Sequence, residues 1–186
     1  MGLDMYLQKK TYVGRGFDDK KEVNLLVKNE KTKHIIDSRI NEIVEEAMYW
    51  RKANAIHKWF IDNCADGDGD KSSMYVSYEN LKDLLEICKE VIDNSKLVKA
   101  KIANGYKLDK DKDGKIIEKP ILEDGKMIKD PTKAQELLPT TDGFFFGSTD
   151  YDEYYYKDIK QTIVELEKIL AEPNASNCEY EYIASW

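Results

Sequence analysis

Histidine and cysteine are scarce in this chain, and each shortage closes off a class of function. Two histidines, His34 and His57, occur in 186 residues. They stand alone, without the paired His-x-Thr or His-x-Ser motifs of a two-histidine phosphodiesterase and without a His/Cys cluster for zinc. The three cysteines, Cys64, Cys88 and Cys178, are odd in number and widely spaced, so neither a disulfide framework nor a metal cluster is expected. A reducing, cytoplasmic setting fits them best. No apolar run approaches the roughly 20 residues that span a bilayer. The first residues lack the basic-then-apolar order of a signal peptide. Tyr6 stands where a myristoylation motif wants Ser or Thr. No Walker loop, dinucleotide fingerprint or nucleophile-elbow spacing is present. Net positive charge is missing too: the formal charge is -7, which argues against a long nucleic acid held by bulk electrostatics.

Against that acidic background one stretch reverses the local charge. Tyr49 to Phe60 holds Arg51, Lys52 and Lys58 together with Trp50, Trp59 and His57. Cations suit phosphate and aromatic planes suit a base. Trp50, Ile56, Trp59 and Phe60 equally read as plain core, with Ile56, Trp59 and Phe60 on one face of a helix. A second stretch, Asp142 to Tyr156, runs Phe144-Phe-Phe-Gly-Ser-Thr-Asp before a helix. Its Gly147-Ser148-Thr149 turn offers backbone N–H groups to an anion, and it equally fits an ordinary strand-to-helix turn.

The remaining chain reads as alternating strands and helices. Strands are expected over Met1–Val13, Glu22–Lys28, His34–Tyr49, Met74–Val76, Phe144–Phe146 and Cys178–Trp186, from period-2 alternation or β-branched and aromatic content. Helices are expected over Lys52–Cys64, over Tyr78–Asn94 behind a Ser77 N-cap, over Lys96–Ala103, over Lys133–Leu138, and over Tyr151–Ala171 behind Asp150 or Asp152. Two Asp/Gly-rich loops, at Asp66–Asp70 and Asp109–Gly114, imitate calcium loops but lack the ligand required at the twelfth position, so no metal is expected. Tyr106–Asp130 reads as an exposed hairpin insertion, with turns at Asp113-Gly114 and Asp124-Gly125 and a possible role as an oligomer arm. Strands at both ends with helices between predict one α+β domain over residues 1–186, an antiparallel sheet with helices packed on it.

Three motifs resemble a group of small phage and prophage proteins. These are the opening Met-Gly-Leu-Asp-Met-Tyr-Leu, the Tyr49–Lys52 block followed by His57 and Trp59, and Phe144–Ser148 followed by Asp150–Glu153. The match runs through nearly the whole chain and departs mainly after Tyr106. It implies a viral accessory protein, not a virion part, and brings no activity with it.

The expected function is a phage counter-defence protein that binds and sequesters a small nucleotide immune signal in the host cytoplasm without cleaving it. The ligand would be of the cyclic nucleotide or cyclic ADP-ribose type, with no cofactor, no membrane and a homo-oligomeric assembly. The residues expected to bind it are Tyr49, Trp50, Arg51, Lys52, Asn54, His57, Trp59, Ser148, Asp150, Tyr151, Asp152 and Tyr155. Two alternatives remain: a nucleotide or phosphoester hydrolase using His57 with Asp150 or Asp152, and a protein–protein inhibitor of a host factor.

Overall fold

The computed structural model describes residues 2–12, 40–65, 72–110, 112, 114–143 and 146–186. The chain folds as expected for an α+β domain. Strand β1 (Asp4–Tyr12) lies between β2 (Glu42–Arg51) and β6 (Glu179–Ser185), and β6 pairs in turn with β3 (Ser73–Val76). Every pairing is antiparallel, so the last strand closes on the first.

Alternation along β1 decides which face is covered. Leu3, Met5 and Leu7 are buried, and their cross-strand neighbours Trp50, Met48, Ala184 and Tyr182 are buried with them. Helices α1 (Asn54–Cys64), α2 (Tyr78–Asp93) and α4 (Glu153–Leu170) supply the other half of this core through Ile56, Phe60, Leu81, Leu84, Ile159 and Leu166. Phe60 stacks on Tyr182 with ring centroids 4.1 Å apart, which pins α1 to the sheet. On the opposite face the side chains of Tyr6, Tyr49 and Tyr75 are half-buried or exposed.

Helix starts follow local chemistry. Ser77 and Asn80 form a reciprocal capping box at α2, each side chain accepting from the other's backbone N–H at 3.0 Å. Asp152, not Asp150, caps α4: its Oδ1 accepts from Tyr154 N and Tyr155 N at 2.9 and 3.0 Å. A short α3 (Thr132–Leu137) precedes Pro139.

Several expectations are corrected. Lys96–Ala103 is no helix; it opens β4 (Leu97–Lys110), which pairs with β5 (Ile116–Ile128) in a long two-stranded ribbon. Alternation of Leu97, Lys99 and Lys101 with Val98, Ala100 and Ile102 suits a strand once β5 is there to pair. Asp124-Gly125 is not a turn but lies inside β5, opposite Lys101 and Ala100. Asn104-Gly105 marks a break in register, with Gly105 at φ 95°. The ribbon is therefore longer than Tyr106–Asp130. Its base is anchored by buried Ile102 and Ile128 and by Ile128 N donating to Tyr151 O, while Leu108 at its far end is 72% exposed. The expected strand Glu22–Lys28, the Asp66 loop, Asp113, Phe144 and Phe145 lie outside the described residues. So does the start of His34–Tyr49, whose later part is β2.

Candidate functional site

The site is built at the junction of β2 and α1. Lys52 adopts φ 59°, a left-handed conformation rare for a residue with a side chain. Its N–H donates to Leu3 O at 2.7 Å and its carbonyl accepts from Asn54 N at 2.9 Å, so the chain swings from strand to helix within one residue. Arg51 and Lys52 thereby sit together at the end of the sheet, both exposed, with no ion pair to a carboxylate among the described residues.

Asn54 then holds a second segment against this junction. Its buried amide donates to Phe146 O (3.2 Å) and Ser148 O (2.8 Å) and accepts from Thr141 N (3.2 Å). These three bonds clamp the loop between α3 and α4. Gly147 permits the close approach: at φ 92°, a Cβ there would lie 3.3 Å from Lys52 Cβ. The loop then runs through Ser148, whose Oγ accepts from Asp150 N at 3.0 Å, into the Asp152 cap.

Between these parts opens a cleft of about 720 Å³. That is within the roughly 300–1,000 Å³ typical of small-molecule sites. Arg51 and Lys52 line it together with Asn54, Ser148, Asp150, Asp152 and Tyr155. Seven of the twelve residues expected to bind a ligand thus share one opening, although the two stretches are about 90 positions apart in sequence.

The other five do not line it. Trp50 is 4% exposed; its indole N–H donates to Thr162 Oγ1 at 2.8 Å, and that hydroxyl donates to Asp158 O. Trp59 is 6% exposed and packs edge-on against Phe60. His57 is 4% exposed, pairs through Nδ1 with the Tyr182 hydroxyl at 2.8 Å, and meets Phe146 and Trp186 edge-on. Tyr151 accepts from Thr140 N and packs on Tyr155. Tyr49 lies on the far face of the sheet, where its hydroxyl donates to Asp4 and its ring meets Tyr6. The indoles and the imidazole are core groups: strand alternation turns Trp50 inward beside Met5, and α1 turns His57 and Trp59 inward. His57 does not line the cleft, and burial lowers its imidazole to about 4.

The cleft also contains residues that sequence reasoning missed. Asn104, Gly105 and Tyr106 enter from the ribbon, at the break in its register. Nothing in their local sequence signals that they fold back on α4. Tyr154 and Asp158 come from α4 itself. Asp158 did carry a signal, since an acid at this position interrupts the apolar stripe of Tyr151, Tyr155, Ile159 and Thr162.

The cleft is lined by charges of both signs. Arg51 and Lys52 are cationic; Asp150, Asp152 and Asp158 are acidic. Burial raises the Asp152 carboxyl, opposed by its two backbone hydrogen bonds. Burial, with the neighbouring charge of Asp152, pushes Asp158 up to about 7, and Lys157 opposes the shift. Among the described residues no group of three or more His, Cys, Asp or Glu side chains is placed to hold a metal ion. No described helix is long and apolar enough to cross a membrane.

These two shifts have opposite consequences for stability. The folded protein keeps the Asp158 proton that the unfolded chain sheds above about 3.9. This group's contribution is therefore full at low pH and is lost as pH rises to about 7. For His57 the unfolded chain takes a proton below about 6.5 that the folded protein refuses until about 4, so its contribution is full above 6.5 and lost as pH falls. Between pH 4 and 6.5 the two slopes oppose each other. Asp158→Asn should raise stability at pH 7.5 by on the order of 2 kcal/mol and should leave a variant that weakens steadily on acidification. Urea midpoints at pH 4.5 and 7.5 for both proteins measure this.

Comparison with protein families, curated proteins and solved structures finds no match to this chain.

Proposed function

We propose that this protein binds a small nucleotide signal in the cleft and holds it without turnover, as a phage counter-defence protein acting in the host cytoplasm. The observation that carries this reading is the pairing of Arg51 and Lys52, free of carboxylate partners among the described residues, in a cleft also lined by Phe146, Tyr106 and Tyr154. Arg51 offers a forked donor array to phosphate and Lys52 a mobile point charge. The rings offer faces for a base, with stacking worth on the order of 1–3 kcal/mol per base. The two indoles first considered for that role are replaced by these residues.

The resemblance of three sequence motifs to small phage proteins is what supports the biological setting. The exposed apolar side chains of the ribbon, Leu108, Ile116 and Leu122, support a homo-oligomer in which the ribbon is an assembly arm. Among the described residues that line the cleft none is an evident nucleophile hydrogen-bonded to a base, which favours sequestration over hydrolysis.

The test is a melting-temperature shift with cyclic dinucleotides, cyclic trinucleotides and cyclic ADP-ribose isomers. At least one should raise the midpoint by several degrees at 100 times its Kd, where linkage supplies about 2.7 kcal/mol. The ligand released by heating should be chemically intact. A flat response to every probe refutes the reading, and recovery of a cleaved product refutes the claim of no turnover.

A further inference from the structure

The acidic residues in the cleft lining call for a partner of their own. Asp152 is 2% exposed, and only one of its carboxylate oxygens is used by the fold: Oδ1 takes both N–H groups of the α4 cap. Oδ2 is buried and has no hydrogen-bond partner among the described residues. Buried carboxylate oxygens are normally satisfied, so a lone one in the wall of a cleft marks a place where a donor is expected. Asp158 lines the same cleft six residues along α4, and no described side chain donates to its carboxylate. Acceptors without donors and cationic donors without acceptors, lining one cleft, describe an occupant that carries both donor and acceptor groups.

A nucleotide with an unsubstituted carbonyl edge would bring its own lone pairs against these acids. A base with an exocyclic amine brings N–H donors, as carboxylates accept from such amines in base recognition. We infer that Asp152 Oδ2 and Asp158 read an exocyclic amine of the bound nucleobase, so that the site selects aminated bases while Arg51 and Lys52 hold the phosphate. This inference rests on the proposed nucleotide binding and deepens it by naming the base chemistry.

The experiment titrates the full chain with cyclic di-AMP, cyclic di-GMP and cyclic di-IMP by calorimetry. Cyclic di-IMP keeps the phosphates and the purine rings and lacks the amine. At least one aminated probe should bind ten times more tightly than the inosine analogue. Asp152→Asn retains a side-chain oxygen for the helix cap, and Asp158→Asn retains shape, so both variants should fold. Each should shrink the aminated-to-deaminated affinity ratio at least threefold while leaving cyclic di-IMP binding nearly unchanged. A purely structural role would move the melting temperature and not this ratio.

Equal affinities for all three probes overturn the inference and leave nucleotide binding standing. A ratio untouched by both variants overturns it as well. Binding that requires magnesium and vanishes with chelator overturns it in favour of a metal held by the two acids. No binding by any probe, cyclic trinucleotides and cyclic ADP-ribose included, removes the proposed function and the inference together.

Discussion

Replacing Arg51 and Lys52 together by alanine should lower affinity for the best-binding nucleotide by about 100-fold or more and leave the fold almost unchanged. Charge-assisted hydrogen bonds to a ligand are worth about 1.5–3 kcal/mol each, and two lost together correspond to two or more decades in Kd. Neither side chain has an ion-pair partner to abandon among the described residues, and both are exposed. Surface changes of this kind usually move stability by less than about 0.5 kcal/mol. Arg51→Lys separates charge from geometry: it keeps the cation and loses the planar fork, so it should recover only part of the affinity. Calorimetric titration beside a melting curve reads both quantities.

Asn54→Ala should do the reverse, damaging the fold of the site without removing a charge. The amide makes three hydrogen bonds to backbone groups of Thr141, Phe146 and Ser148 from a buried position. Deleting it strands those groups at a cost on the order of 2–4 kcal/mol, since each buried unsatisfied group costs about 1–3 kcal/mol and neighbours are not additive. For a chain of this size that is a fall in melting temperature of roughly 5–15 °C. Nucleotide affinity should drop at least tenfold, because the clamped loop forms one wall of the cleft. Asn54→Asp is the sharper control. It matches the shape but has no N–H to donate to the two carbonyls and places a negative charge beside them. It should therefore be no better than alanine, which a mere space-filling role would not predict.

Local chemistry made much of this architecture legible in advance. Alternation in Leu3, Met5 and Leu7 announced β1, Ser77 announced α2, and the Tyr-rich stripe after Asp152 announced α4. The errors arose where partners distant in sequence decide the outcome. Leu97–Ala103 is a strand because β5 pairs with it, and a short apolar run alone does not distinguish that from a helix. The lining of the candidate cleft was legible in part in its polar residues: Asn54, Ser148 and Asp152 take up the hydrogen bonds of a loop and a helix cap, and Arg51 and Lys52 stay exposed at the adjoining β2–α1 junction. The aromatic residues were ambiguous for the converse reason. Trp50 and Trp59 lower the free energy by leaving water, and the core offers them more contact than a cleft wall. The rings that do face the opening, Tyr106 and Tyr154, come from positions set by the ribbon's return and by the phase of α4.

The central claim is that a small nucleotide lodges between the β2–α1 junction and the loop that Asn54 holds. Amide chemical-shift mapping with the tightest-binding probe locates it directly. The account predicts the largest shifts at Arg51, Lys52, Asn54 (side-chain amide included), Gly147, Ser148 and Tyr106, with Tyr6, Tyr49 and Tyr75 on the far face of the sheet unmoved. Shifts confined to that far face, or to the tip of the ribbon near Leu108, would place the ligand elsewhere and contradict it.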